Sequence, residues 1–185
     1  MNRRQALVFI TAQTSFFWLA VNGFAANANK SNRKMMTNKQ IKVYSAEQGD
    51  YILTDKMMRS ESEWKKLLTS EQYHVLREEG TERAFTGRLL KNKEHGVYRC
   101  AACGNDLYLS GSKFDSGTGW PSFYEPIAKE NILIRKDRSF FVTRNELICS
   151  RCESHLGHVF DDGPPPTGKR HCINSISLKF HKLNQ

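Results

Sequence analysis

The chain has 185 residues, enough for one compact domain with an added segment, because domains commonly run to ~100–150 residues. A hydrophobic share of 39%, a charged share of 25% and an aromatic share of 11% exclude wholesale disorder and fit a soluble globular protein. The formal charge of +9 does not mark a nucleic-acid binder: seven of the 28 basic residues lie in 1–42, where no Asp or Glu occurs, leaving 21 basic against 19 acidic residues from residue 43 onward.

The amino terminus reads as an address. Arg3 and Arg4 precede an apolar run from Ala6 to Val21, and small residues follow, ending in Ala26-Asn27-Ala28. That is the order of an export signal over residues 1–28, cut after Ala28. The adjacent arginines and the polar interruptions Thr11, Gln13, Thr14 and Ser15 resemble a twin-arginine signal, which implies a periplasmic or extracytoplasmic destination. The alternative is an uncleaved membrane anchor, but the run of about 16 residues falls short of the roughly 20 apolar residues a spanning helix needs. Residues 29–42 are rich in Asn and Lys, lack a hydrophobic period and read as a flexible linker, so folding begins near Val43.

In the folded part, 43–185, Ser60 and Glu63 have the spacing of a capping box, and Trp64, Leu67 and Leu68 recur at helical spacing. Thr69 and Gln72 open a second short helix carrying Tyr73 and Leu76, which Gly80 ends. Strand-like pieces follow at Val97 to Arg99, Leu107 to Leu109, Ile132 to Arg135, Phe140 to Thr143, Val159 to Phe160 and Ile173 to Phe180, parted by Gly, Asn, Asp and Pro signals. The pattern predicts a small, mainly β, antiparallel domain with short helices ahead of it.

Four of the five cysteines form two pairs, Cys100-x-x-Cys103 and Cys149-x-x-Cys152. A two-residue gap in a tight turn aims both sulfurs at one centre, and two such turns supply the four thiolates of one tetrahedral, structural Zn2+. Two disulfides, or a redox C-x-x-C of thioredoxin type, are the other uses of such pairs, but neither explains the duplication as well. The 45 residues between Cys103 and Cys149 make the insert a sizeable part of the domain.

The fifth, Cys172, stands apart at the head of His171-Cys172-Ile173-Asn174-Ser175-Ile176-Ser177-Leu178-Lys179-Phe180. Read as one strand, this segment puts Cys172, Asn174, Ile176, Leu178 and Phe180 on one face, with the thiol and the amide at the mouth of the core. A lone cysteine is more often packing than chemistry. A nucleophilic thiol, however, needs basic neighbours, and Arg170 and His171 adjoin it while His155 and His158 follow the second cysteine pair.

Taken together, these pieces resemble the B-type peptide methionine sulfoxide reductases. The resemblance rests on both C-x-x-C pairs, Gly117-Thr118-Gly119-Trp120-Pro121-Ser122-Phe123, His155-Leu156-Gly157-His158-Val159-Phe160, Asp162-Gly163-Pro164, Pro166-Thr167-Gly168 and Arg170-His171-Cys172-Ile173-Asn174-Ser175, in the family's order over roughly residues 50–180. It implies two antiparallel sheets, one structural zinc per chain, and an oxidoreductase of protein repair under oxidative stress. The substrate class it implies is oxidised proteins carrying the R epimer of methionine sulfoxide. Cys172 matches the family's nucleophile, Asn174, His155 and His158 its other catalytic positions, and Trp120 and Arg170 its substrate-binding positions. A thiolate would attack the sulfoxide sulfur while His155 or His158 protonates the oxygen, leaving methionine and a sulfenic acid on Cys172.

One position departs from many relatives: Thr118 stands where a second, resolving cysteine is found. With the other four cysteines committed to metal, the Cys172 sulfenic acid is expected to be reduced by an external thioredoxin- or glutaredoxin-like thiol. A monomer is expected, with no nucleic-acid partner. Two other functions share parts of this pattern. A zinc-ribbon binding module needs neither Cys172 nor the histidines, and a thiol redox sensor without reductase activity needs no pocket for a methyl group.

Overall fold

The computed structural model describes residues 39–137 and 143–183. The expected export signal, and the expected linker as far as residue 38, lie outside the described residues; of the strand expected over Phe140 to Thr143 only Thr143 is described, and it is not in a strand. The first element is a hairpin of β1 (Gln40–Ser45) and β2 (Asp50–Asp55), turned at Gly49 with φ 66°. Gln40, Ile41 and Lys42 pair with Asp55, Thr54 and Leu53, so the folded domain starts earlier than the expected boundary at Val43. The correction has a distant cause. The buried Asn131 side chain accepts from the Tyr44 N–H and donates to the Tyr44 carbonyl, both at 2.8 Å, and so fastens β1 to the rest of the domain.

Helices α1 (Glu61–Leu67) and α2 (Ser70–Arg77) start where the sequence places them, each with both halves of a capping box formed. Trp64 on α1 and Tyr73, Val75 and Leu76 on α2 are buried. At the end of α2 the left-handed position falls on Glu79, φ 57°, while Gly80 donates back to the His74 carbonyl, the longer bond of a Schellman-type ending.

The remaining strands are β3 (Gly96–Cys100), β4 (Asp106–Leu109), β5 (Lys113–Phe114), β6 (Ser122–Phe123), β7 (Ile132–Asp137), β8 (Arg144–Cys149), β9 (His155–Phe160), β10 (Arg170–Ile173) and β11 (Leu178–Lys182). They form a six-stranded antiparallel sheet in the order β5-β6-β10-β9-β8-β7 and a three-stranded one in the order β11-β3-β4. The mainly β, antiparallel class expected from the sequence is the one observed. Between the sheets, Phe123 stacks on Tyr108 at 4.2 Å and meets the edge of Tyr98 at 5.0 Å, with Leu107, Leu147, Leu156 and Ile173 fully buried around them.

The expected strand from Ile173 to Phe180 is not continuous. β10 stops at Ile173, residues 175–177 make a 3-10 turn, and β11 then joins the other sheet. The apolar alternation is real, but Glu82 overrides it. Its carboxylate accepts from the backbone N–H of Ser175 at 2.5 Å and of Ile176 at 2.9 Å, groups a strand would turn toward a neighbouring strand. The chain thereby crosses between sheets directly after Cys172.

Candidate active site and metal centre

Each cysteine pair sits on a tight turn closed the same way. Gly104 N–H donates to the Cys100 carbonyl and Glu153 N–H to the Cys149 carbonyl, with Gly104 at φ 76° and Glu153 at φ 57°. The four Sγ atoms are buried and all lie within 4.8 Å of one another; Cys100 to Cys152 is 3.7 Å and Cys103 to Cys149 is 3.5 Å. Zinc–sulfur bonds of about 2.3 Å in a tetrahedron put sulfurs about 3.8 Å apart, so the donor set fits one zinc ion. A disulfide needs about 2.05 Å, and all five cysteines are free thiols. Neighbouring thiols push Cys100 well above its ordinary pKa and hold Cys152 below it, and burial pushes Cys149 up; four buried thiolates packed this closely repel one another and call for a cation to balance them. Bound there, zinc would join the β3–β4 turn to the β8–β9 turn and leave no open position for chemistry. Arg77 of α2 braces the second turn, donating to the Cys152 carbonyl at 3.0 Å and to Ser154 Oγ at 3.2 Å.

Cys172 lies in the middle of the six-stranded sheet, paired with Ser122 on β6 and His158 on β9, and is partly exposed. Alternation along β10 puts Arg170 on its face and turns His171 away. His171 is buried against Tyr108, whose hydroxyl is 3.1 Å from Nδ1, and burial lowers its pKa to about 4. It is therefore neutral at pH 7 and contributes no cation beside the thiol, despite its place in the sequence. Arg170 is held by Asp162 through two 2.9 Å bonds and lies 4.4 Å over the Phe160 ring. Burial pushes the Cys172 thiol above its ordinary pKa, while the Thr118 hydroxyl, Arg170 and Ser122 oppose the shift. Thr118 Oγ1 is 3.9 Å from the sulfur and is joined to Ser116 Oγ at 2.8 Å, which is in turn 2.7 Å from Ser122 Oγ.

Beside the thiol is a cavity of about 140 Å³ lined by Trp120, Arg144, His158, Phe160, Cys172 and Asn174. Both expected histidines lie on β9, His158 lining the cavity, and each leans on a carboxylate that the sequence gives no local reason to single out. His155 Nδ1 is 2.7 Å from Glu146 Oε1, and His158 Nε2 is 3.1 Å from Asp137 Oδ2. A carboxylate only accepts, so the proton sits on the nitrogen facing it. His155 is the buried member, its Nε2 without a hydrogen-bond partner among the described residues, with its ring 5.4 Å from that of His158. His158 lines the cavity, and burial lowers its pKa while Asp137 works in the opposite direction. Arg144 donates to the same Asp137 at 3.3 Å.

Glu82, absent from the sequence reading, organises the other wall. Its N–H donates to Asn174 Oδ1 at 3.0 Å, and its carbonyl accepts from Trp120 Nε1 at 3.1 Å. Asn174 Nδ2 also donates to the Leu156 carbonyl at 3.1 Å, so the amide is committed to backbone on both sides. Gly157 must be glycine. A Cβ there would lie 2.0 Å from the Cys172 carbonyl oxygen, and only its absence lets β9 approach β10 so closely.

Residues 68–182 match the SelR domain. The chain is 64% identical over 122 residues, 66% of this chain and 86% of the relative, to the peptide methionine sulfoxide reductase MsrB of Methanosarcina barkeri. It is 55% identical over 130 residues, 70% of this chain and 94% of the relative, to the MsrB of Hahella chejuensis. To the chloroplastic peptide methionine sulfoxide reductase B1 of Arabidopsis thaliana it is 55% identical over 127 residues, 68% of this chain and 62% of the relative. These matches set aside the binding-module and sensor readings, and the chain belongs to the MsrB family, enzymes that reduce methionine sulfoxide in peptides.

Proposed function

We propose that Cys172 reduces the R epimer of methionine sulfoxide within proteins, with an external thiol closing the cycle. The observation that carries this reading is a partly exposed thiol opening on a cavity whose lining combines the aromatic Trp120 and Phe160 with the polar His158 and Arg144. The aromatic residues take the methyl group, and the polar ones take the sulfoxide oxygen.

The Cys172 sulfur bonds to the sulfoxide sulfur, and the thiol proton passes through His158 to the oxygen. His158 serves because it lines the cavity and is fixed by Asp137; His155, farther in, holds the strand and the neighbouring ring. The oxygen leaves the substrate sulfur and ends on Cys172, releasing the thioether. The substrate sulfur gains two electrons and the Cys172 sulfur loses two, as a thiol and a sulfoxide become a sulfenic acid and a thioether. An external thiol then forms a mixed disulfide with loss of water, and a second thiol frees Cys172. Asn174 acts by position, tying the Glu82 loop to β9.

Oxidation with one equivalent of the R-sulfoxide substrate and no reductant, followed by a sulfenic-acid trap and mass spectrometry, tests the pathway. The expected product carries the trap on Cys172; a Cys172 disulfide to another cysteine of the chain would overturn it. For residues 1–28 the reading is export, with a mature protein beginning at Asn29. A chain retaining Met1 in the membrane fraction would support the anchor instead.

A further inference from the structure

A second, larger concavity of about 880 Å³ adjoins the Cys172 cavity, and Thr81 lines both. Its walls are α2 and the loop from Thr81 to Leu89, and on the remaining side is β11. β11 is an edge strand, paired to β3 alone among the described residues. Its register tells which backbone groups are free. Ala101 N–H donates to the Ser177 carbonyl and Leu183 N–H to the His95 carbonyl, so the odd-numbered residues direct their polar groups to β3. By alternation, the N–H and carbonyl of Phe180 and the carbonyl of Leu178 point to the open edge, and both residues line the concavity. Such an edge is a template for an added strand.

The charges around this edge are unequal. Arg83, Arg88 and Lys179 are exposed and make no ion pair among the described residues. Of the two carboxylates present, Glu82 is occupied by the Ser175 and Ile176 N–H groups, which leaves Glu71.

We infer that this groove binds the substrate polypeptide beyond its oxidised methionine, as an extended segment added to the open edge of β11, and that it selects acidic residues there. The inference rests on the reductase reading, because the methionine sulfoxide side chain anchors the peptide at Cys172. The small cavity holds one side chain, so the polypeptide must continue outside it, and the adjoining groove begins at the shared Thr81 wall. From Asn174 to Phe180 the chain passes one 3-10 turn and enters β11, a span of roughly 15 Å, which an extended peptide covers in about five residues. Asp or Glu about three to six residues from the methionine sulfoxide would meet the three cations.

The test compares kcat/KM for R-sulfoxide peptides carrying Asp or Lys at these flanking positions, each relative to N-acetylmethionine R-sulfoxide. The acidic peptide should be favoured roughly tenfold at low salt, through KM, as expected for a few exposed charge pairs. The ratio should fall to near one at about 0.5 M salt, where screening is strong, and likewise in the variant combining Arg83→Gln, Arg88→Gln and Lys179→Gln. The salt series needs no variant. Equal kcat/KM for the two peptides, or a preference that survives both salt and substitution, would overturn the inference while leaving the reductase reading intact. Failure to turn over the small R-sulfoxide would overturn the reductase reading itself.

Discussion

Thr118 Oγ1 stands 3.9 Å from Cys172 Sγ. A hydroxyl at this place can hydrogen-bond the sulfur but cannot form a disulfide with it. Thr118→Cys is therefore expected to convert a one-thiol cycle into a two-thiol one. After one equivalent of R-sulfoxide without reductant, thiol titration should show the wild type losing one thiol and the variant two. A variant that still accumulates trappable sulfenic acid on Cys172 would argue against the proximity described.

The four-cysteine cluster should hold close to one zinc per chain, measured by atomic emission. Cys149→Ser should lose the metal and lower the melting temperature by roughly 10 °C or more, since it opens the joint between two turns far apart in sequence. Full thermal stability in a metal-free variant would contradict a structural role.

Substitution of Gly157 by alanine should damage fold and activity together. The added Cβ meets backbone, the Cys172 carbonyl oxygen, and no side chain can swing aside to admit it. A loss of about 1–3 kcal/mol in urea unfolding is expected, with a fall in kcat as β10 shifts.

His171 gives a pH signature separate from catalysis. Its pKa is lowered to about 4 by burial, against about 6.5 when unfolded, so on acidification the unfolded chain takes up the proton first. The stability tied to this group is complete above about pH 6.5 and is lost as the pH falls toward 4, by roughly 3 kcal/mol. In His171→Phe the urea midpoint should decline less over that interval, while a wild-type slope unchanged by the substitution would rule out His171 as its source.

Much of the site could be read from residue spacing because its signals are local. The paired C-x-x-C turns, the two capping boxes and the isolated Cys172 each depend on neighbours a few residues away. What escaped is held by distant partners. Glu82 acts on residues 92 to 94 positions further along, and no periodicity announces it; its carboxylate breaks what the apolar alternation of Ile176, Leu178 and Phe180 presents as a single strand. Asp137 and Glu146 become histidine partners only through the pairing of β7, β8 and β9, and a register shift at Leu147 and Ile148 separates Glu146 from simple cross-strand reading. The β1–β2 hairpin is illegible locally for a similar reason, since Asn131 secures it from 87 residues away.

Cys172 alone should perform the reduction, and on one epimer. The most direct measurement is turnover of the separated R and S epimers of N-acetylmethionine sulfoxide, with dithiothreitol as reductant, by wild type and by Cys172→Ser. Wild type should turn over the R epimer and show no detectable use of the S epimer, and the variant should use neither. Activity in Cys172→Ser, or equal use of the two epimers by wild type, would contradict this assignment.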